Sequence, residues 1–384
     1  MWRHIASNAL TLLVLLIFVA GGVIAWAKSQ YTRPGPLASA ICLRVDGGQK
    51  LADVAKNLSA EGAITSPALF RMGADYSGQG DGLKAGSFLL QDGVSMQEIV
   101  AIITGTGRST CGTEVNFRIG VVSSQIVVSE LNPETNRYEE RASFDPTVEE
   151  LPEGYTEARR ESGARYRVTL AEGATSWQIV EALKAAEFLQ GEIEEVPGEG
   201  TLAPESYEVT AGTERGEILT RMAEAQARIL QELWQTRQAD LPISTPEEAL
   251  ILASIIEKET GLPEERPQVA SVFVNRLKQG MRLQTDPTVI YGVTRGQSVL
   301  GRGLRQSELR RETPWNTYVI NGLPPTPIAN PGRAAIAAAL DPAATDFLFF
   351  VANGTGGHAF ARTLAEHNKN VANWRRIEAE RGEN

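Results

Sequence analysis

The sequence is poor in the residue types on which several kinds of chemistry depend. Of 384 residues, two are cysteine and three are histidine. No CxxC or mixed Cys/His spacing occurs around Cys42, Cys111, His4, His358 or His367, so no zinc site or other metal is expected. Basic residues are outnumbered 37 to 47, leaving a formal charge of −10. That balance excludes the positive footprint of a general nucleic-acid binder and otherwise bears on solubility rather than fold. No Ser-His-Asp, P-loop or Rossmann layout is present. The glycines at Gly354, Gly356 and Gly357 are spaced for a hairpin, and no helix pattern follows to make a phosphate cradle. Long apolar runs are also missing, with one exception.

The exception is residues 9–27, in which no side chain is charged and only Thr11 is polar. Such a run is long enough to span a bilayer as a helix, and a secretory signal's apolar region is usually shorter. Ala25-Trp26-Ala27 does resemble a small-x-small cleavage site. The reading adopted is an uncleaved anchor, with removal as the alternative. Arg3 precedes the run, and Lys28 and Arg33 follow it, so the charge bias is weak. Orientation therefore rests on this being the first and only span. The remainder reads as a soluble body on the far side of the membrane, long enough for two or three domains. Cys42 and Cys111 flank the first of these. They either bridge it in an oxidising compartment or are two unrelated buried thiols.

A Pro/Gly-bearing extended spacer is expected over 29–40. Strand patterns at 41–45 and 86–90 each lead into a helix, one with Leu51, Val54, Ala55 and Leu58 on a face, the other with Met96, Ile99, Val100 and Ile103. The same grammar returns later. Tyr166-Arg167-Val168 resembles Leu43-Arg44-Val45, and Trp177, Val180 and Leu183 resemble the first helix. Thereafter Leu83, Ser87, Phe88, Gly93, Glu98 and Ile99 align at a constant offset with Leu202, Ser206, Tyr207, Gly212, Glu217 and Ile218. This reads as a degenerate repeat of a small β/α unit. Between the copies, 116–131 alternates and reads as one or two strands, with a turn at 132–136. The acidic stretch that follows, with Glu149, Glu150, Glu153, Glu157 and Glu161, reads as a solvated loop or hairpin, or else as a docking surface.

The fold class is α+β. The expected layout is an anchor at 1–28, a linker at 29–40, a first β/α domain at 41–111 and an insertion at 112–164. A second β/α repeat with a connecting helix then covers 165–240, and a C-terminal α+β domain covers 241–384. Ser244-Thr245-Pro246-Glu247-Glu248 starts a helix in that last domain, and Gly261 and Pro263 stop it. A further helix is expected over 269–278 and a hairpin over 346–362.

The first of these helices is nearly all apolar, yet it carries Glu257 and Glu259. With Ile256 at zero and ~100° per residue, Glu257 falls between Ala253 and Leu250, and Glu259 falls near Leu252 and Ile255. Desolvation raises a carboxyl pKa, and a raised carboxyl can hand its proton to a leaving group, as sugar-bond cleavage requires. The plainer alternative pairs both glutamates with Lys258, Arg266 or Arg276. Polar clusters follow. Gln284 and Asp286 suit hydroxyl recognition; Asp286 is either a second carboxylate or a helix cap before Pro287. Asn316 and Tyr318 lie in Pro/Gly-rich loops of the kind that line clefts. Asn330 either lines the cleft or caps a helix over 333–340. His358, with His367-Asn368 close behind, sits at a hairpin mouth as a site residue or a structural one.

The stretches LASIIEKET, VASVFVNRLKQGMRLQTDPTVIYG, NTY, GLPPTPIANPG and GGHAF, in this order and at these distances, resemble the endolytic murein transglycosylases of the YceG-like family. The resemblance is close from Ser244 onward and looser over the two small repeats, which it implies are LysM-like. It implies an inner-membrane, single-pass protein whose catalytic body lies in the periplasm and cuts peptidoglycan glycan strands. No cofactor is implied, and peptidoglycan synthases are implied as partners. By the same resemblance Glu257, the first glutamate of EKET, protonates the oxygen between N-acetylmuramic acid and N-acetylglucosamine. It then acts as base while the muramyl C6 hydroxyl closes on C1, giving a 1,6-anhydro end. Glu259, Gln284, Asp286, Asn316, Tyr318, Asn330 and His358 are then expected around the substrate. Two features depart from the pattern: the insertion at 112–164, and Leu202 and Ala203 where the family tends to carry aromatics. The rival readings are a peptidoglycan hydrolase using Glu257 with Asp286, and a non-catalytic glycan-binding scaffold.

Overall fold

The computed structural model describes residues 2–146, 151–161 and 163–382, with side chains from 10 to 381. Glu149 and Glu150 of the acidic stretch lie outside the described residues. The chain opens with α1 (Trp2–Thr32). Its apolar window, Leu10–Thr32, has 23 residues, none of them buried. At ~1.5 Å per residue that is about 34 Å, enough to cross a hydrocarbon core of ~30 Å.

The chain divides into two compact units. The first begins with α1 and continues through β1 (Ile41–Val45), α2 (Leu51–Ala60), α3 (Pro67–Tyr76), β2 (Gly86–Leu90) and α4 (Met96–Ile103). β1 and β2 pair antiparallel, with Ile41 opposite Leu90 and Val45 opposite Gly86. Both strands and both anticipated helix faces fall where the periodicity places them: Val54, Ala55, Leu58, Ile99, Val100 and Ile103 are buried in one core with Phe70 and Phe88. α3 is an addition to that reading. Its signal is Ser66 followed by Pro67: the Ser66 hydroxyl accepts from the Leu69 N–H at 3.4 Å, and Pro67 takes the first helical position. The expected spacer is shorter than 29–40, because α1 stays helical through Thr32 and packs Tyr31 against Gly73 of α3. Cys42 and Cys111 form a disulfide that closes this βααβα segment.

β3 (Thr113–Ile119), β4 (Ser124–Asn132), β5 (Arg137–Phe144) and α5 (Glu153–Ala158) follow, then β6 (Arg165–Leu170), α6 (Ser176–Ala185), β7 (Ser206–Val209) and α7 (Arg215–Gln235). The β4–β5 turn is held by the Asn132 carboxamide oxygen, which accepts from the N–H groups of Glu134 and Thr135 at 3.1 and 3.2 Å. The five strands form one sheet in the order β5-β4-β3-β6-β7. Three strands within residues 112–164 thus share a sheet with β6 and β7. The positions aligned by the constant offset fall on corresponding elements. Phe88 and Tyr207 are buried in β2 and β7, and Ile99 and Ile218 are buried in α4 and α7. Gly93 and Gly212 both take left-handed backbone, with φ of 66° and 84°. No helix like α3 lies between α6 and β7, which are separated by turns and an isolated bridge.

The second unit continues with α8 (Pro246–Glu259), α9 (Arg266–Lys278), α10 (Asp286–Thr294), α11 (Gln306–Arg310), α12 (Arg333–Leu340), β8 (Phe349–Ala352), β9 (His358–Ala361) and α13 (Leu364–Gly382). The sequence reading placed no helix where α13 lies. α8 is buried from Ala249 to Ile256 and packs with α9 and α12 around Leu252, Ile255, Val269, Phe273 and Ile336. Asn330, fully buried, ties this core to the α6 segment. Its Oδ1 accepts from the Leu202 N–H at 2.9 Å, and its Nδ2 donates to the Ala174 carbonyl at 3.0 Å and lies near the Ser176 hydroxyl and a Glu199 oxygen. Leu202 and Ala203 are themselves fully buried. Neither position therefore offers a side chain to a ligand.

Two stability measurements follow. Replacing Cys42 and Cys111 together by serine opens a loop with a sequence separation of 69. Urea unfolding of the purified chain should show a loss of about 4 kcal/mol in the transition of the first unit, from loop-closure entropy. Asn330→Ala takes from the Leu202 N–H its side-chain acceptor in the buried core, and thermal or urea unfolding should register a loss of about 2 kcal/mol in the second unit.

Candidate active site

The site is built on the last turn of α8. Thr245 caps the helix start by accepting from the Glu248 N–H at 3.2 Å, and Pro246 takes the first helical position. Eight buried residues follow before Glu257, Lys258 and Glu259. A helix buried on all sides must discharge its polar residues at an end. Here they emerge at the C-terminal end, where the macrodipole disfavours carboxylates and favours Lys258. The two glutamates lie ~160° apart around the axis and meet different surroundings.

Glu257 faces α9 and the start of α12, with its side chain only 5% exposed. One carboxylate oxygen accepts from the Arg266 guanidinium at 3.2 Å; the other accepts from the Gly332 N–H at 3.0 Å. The same guanidinium nitrogen reaches Glu172 at 3.1 Å. Burial pushes the Glu257 carboxyl above its ordinary value, the Gly332 N–H opposes that, Glu172 adds to it, and Arg266 opposes it. The glycine at 332 makes this packing possible, since a Cβ there would collide with the Glu172 carboxylate, while Gly173 takes left-handed backbone at φ 80°. Lys258 turns between them and donates to the Gly173 carbonyl at 3.2 Å. Glu257 is thus held by protein donors at both oxygens, in the manner of the ion-paired alternative.

Glu259 lines a cavity of ≈ 530 Å³ together with Arg276, Gln284, Thr285, Asp286, Tyr318, Phe349, Phe350 and His367. The Thr285 hydroxyl donates to one Glu259 oxygen. Burial pushes the Glu259 carboxyl up. The Thr285 hydrogen bond opposes this, the negative Asp286 adds to it, and the positive fields of His358 and Arg276 oppose it. Opposite, the Tyr318 phenol donates to Asp286 at 2.7 Å. Asp286 is the first residue of α10 rather than its cap; Thr285 holds the cap position, which leaves the Asp286 carboxylate free to meet Tyr318. Gln284 takes left-handed backbone at φ 50°, uncommon for a residue with a Cβ, and its exposed side chain stands at the cavity wall.

The remaining expected residues lie elsewhere. Asn316 is fully buried; its Nδ2 donates to the carbonyls of Glu308, Leu309 and Arg311, and its Oδ1 accepts from the Tyr318 N–H at 3.0 Å. It shapes the loop that presents Tyr318 and has no surface to offer a sugar. Asn330 is not a helix cap, because Gly332 holds that position before α12; it serves the buried network described above. His358 is gripped by Glu265, which accepts from its N–H and pairs with Nδ1, both at 2.8 Å. Its ring is fixed close enough to act on Glu259 through its field, but it does not line the cavity.

Arg276, expected as a partner of the glutamates, and His367, noted only beside His358, both line the cavity; Thr285, Phe349 and Phe350 were not singled out from the sequence. Arg276 is buried, donates to the Leu348 and Leu283 carbonyls at 2.7 and 2.5 Å, and lies over the Phe349 ring. A charged residue on an otherwise apolar helix stripe was the signal for it. His367 stacks on Phe349 with centroids 5.2 Å apart, and its buried Nδ1 has no hydrogen-bond partner among the described residues. Burial and the Arg276 cation hold its pKa below the ordinary value, so the ring is neutral near pH 7. Among the described residues no group of histidine, cysteine and carboxylate side chains is arranged to hold a metal ion.

A sequence model described as the YceG-like family matches residues 137–373. A protein of Bacillus subtilis named endolytic murein transglycosylase is 37% identical over 173 residues, covering 45% of this chain and 47% of its own length. One of the same name from Streptococcus pneumoniae is 23% identical over 406 aligned residues, covering 96% of this chain and 65% of its own. The chain thus spans about half to two thirds of the length of these relatives. A crystal structure of a YceG-like protein from Listeria monocytogenes aligns over 86% of this chain and 98% of that one, with 25% identity and a TM-score of 0.46. Since the family match takes in more than half of the sequence, including every residue of the cavity, this chain belongs to the YceG-like family.

Proposed function

We propose that the chain is a membrane-anchored endolytic murein transglycosylase whose acid and base is Glu259, two residues beyond the position expected from the sequence resemblance. The observation that carries this is the location of Glu259: a buried carboxyl biased toward its neutral form, at the wall of the cavity that also holds Gln284, Asp286, Tyr318 and His367. Glu257 has a similar bias, but both its oxygens are occupied by Arg266 and Gly332, and it does not line that cavity.

The cavity suits a sugar. Tyr318 and Phe350 offer aromatic surface to the apolar side of a pyranose, and Gln284, Asp286 and Nδ1 of His367 offer hydrogen bonds to hydroxyl or acetamido groups. In the reaction, neutral Glu259 gives its proton to the glycosidic oxygen as the bond to muramyl C1 breaks. The negative Asp286 opposes the positive charge that develops on the ring. Glu259, now ionised, takes the proton of the C6 hydroxyl as that oxygen bonds to C1. The proton lost is regained, no water enters, and the products are a 1,6-anhydro end and a free C4 hydroxyl. A single carboxyl suffices because the nucleophile is tethered to the electrophile.

The apolar length of α1 supports an anchor in the inner membrane with the body in the periplasm, and the Cys42–Cys111 disulfide suits that oxidising compartment. The paired β1 and β2 enclosing two helices support a LysM-like, glycan-binding first domain. Association with peptidoglycan synthases rests on the family resemblance alone. The presence of Asp286 in the same cavity keeps a hydrolase as the second reading, with Asp286 activating water. Mass spectrometry of digested murein separates the two, since anhydro ends require the transglycosylase and reducing ends the hydrolase.

Glu259→Gln should lower the rate of glycan cleavage by about 10²–10⁴-fold, whereas Glu257→Gln should stay within about tenfold of the parent. The opposite pattern returns the acid role to Glu257, and two active variants remove the catalytic reading altogether.

The pH dependence has a definite sign. The folded-state pKa of Glu259 is raised above its ordinary value of 4.5. The stability due to its protonated form is therefore complete below that value and is lost as pH rises through the folded pKa. Activity should fall over the same upper range as the acid ionises. Glu259→Gln should raise the melting temperature relative to the parent at pH 8 and lose that advantage near pH 4, as differential scanning calorimetry would read.

A further inference from the structure

α3 presents three faces at ~100° per residue. Phe70 and Ala74 are buried in the core of the first unit, while Arg71 and Asp75 are exposed. The third face is a second apolar stripe: Leu69, Met72, Gly73 and Tyr76 at i, i+3, i+4 and i+7. Met72 is 62% exposed and Tyr76 is 95% exposed. A surface helix of a water-soluble domain ordinarily carries one such stripe, facing its core.

The second stripe forms one wall of a cavity of ≈ 550 Å³. The other wall is the C-terminal end of α1, including Ile24, Ala27, Lys28 and Tyr31. The two helices touch at Gly73, where a Cβ would sit 2.2 Å from the Tyr31 ring, so glycine is what allows the ring to lie against α3. Ile24 and Ala27 belong to the apolar window of α1. A groove with that wall lies at the depth of the hydrocarbon boundary whenever α1 spans a bilayer. Around a membrane-spanning helix, open apolar space is occupied by lipid chains. Tyr76 and Tyr31 have the amphipathic form that concentrates at headgroup level, and Lys28 can extend its charge to phosphate from the same groove.

We propose that the outward stripe of α3 is a second membrane contact of the first unit, and that bilayer lipid fills the groove between it and α1. The anchor then does not act as a free tether; it holds the first unit against the membrane surface through α3. This rests on the reading of α1 as a membrane span, and the test separates the two.

The full-length chain is reconstituted into vesicles of phosphatidylethanolamine and phosphatidylglycerol with a nitroxide on a single introduced cysteine, as M72C, Y76C, L16C or K56C, leaving the native disulfide intact. Leu16 lies in the span, and Lys56 is an exposed residue of α2. Collision of each label with oxygen, which concentrates in lipid, is compared with collision with a water-soluble nickel chelate. The proposal expects an oxygen-to-nickel ratio at 72 and 76 severalfold above that at 56, in the direction of the ratio at 16. A lipid-like ratio at 16 with ratios at 72 and 76 equal to that at 56 overturns the proposal and leaves the anchor standing. Low collision with both reagents at 72 and 76 means that protein, such as a second copy of the chain, covers the stripe, and also overturns it. A water-like ratio at 16 removes the anchor and the proposal together.

Discussion

The structure of the second unit depends on burying α8 on every side. Once Ala249 to Ile256 are committed to the core between α9 and α12, the charged residues of that helix are confined to its ends, with Glu247 and Glu248 in the first turn and Glu257, Lys258 and Glu259 in the last. Carboxyls there meet two unfavourable fields at once, low polarisability from burial and the negative end of the helix. Each glutamate must be compensated or be kept protonated. The two meet different surroundings.

Glu257 is compensated. Arg266 and the N–H at the start of α12 meet its oxygens, and Glu172 shares the same guanidinium. A pairing of this kind contributes little net stability against well-packed apolar residues, but it is expensive to break from one side. Its physical effect is to fix the approach of α9 and α12 to α8. Glu259 receives a single hydroxyl hydrogen bond from Thr285, and burial and the neighbouring Asp286 raise its pKa against the opposing fields of His358 and Arg276. Around it, Tyr318 and Thr285 are held in place by groups with no access to substrate: Asn316 through three loop carbonyls, and Thr317 through its hydrogen bonds to Thr285 and Thr288. The asparagines therefore serve the geometry of the site from inside.

Much of the fold was legible because it depended on short-range pattern. β1, β2 and α4 match the sequence periodicity, and α8 starts at the Thr245-Pro246 signal and ends before Gly261. α3 was equally signalled by Ser66-Pro67, but its mixed faces hid it: two apolar stripes on one helix blur the period that a single stripe makes plain. The sharing of a sheet by β3, β4 and β5 with β6 and β7 was not legible, because strand alternation reports which face is buried and not which strand lies alongside.

The sequence by itself determined that this chain has one apolar span, a buried helix with two glutamates at its end, and two separate polar clusters downstream, one with Gln284 and Asp286 and one with Asn316 and Tyr318. These follow from composition and from spacing within a helix or loop. Only the tertiary structure decided which glutamate meets Gln284, Asp286 and Tyr318. The choice depends on what packs against each side of α8's last turn, and the partners come from residues as distant as Glu172, Thr285 and Gly332. Rotation about a helix axis is set locally; the surroundings to which each direction points are set by the whole fold.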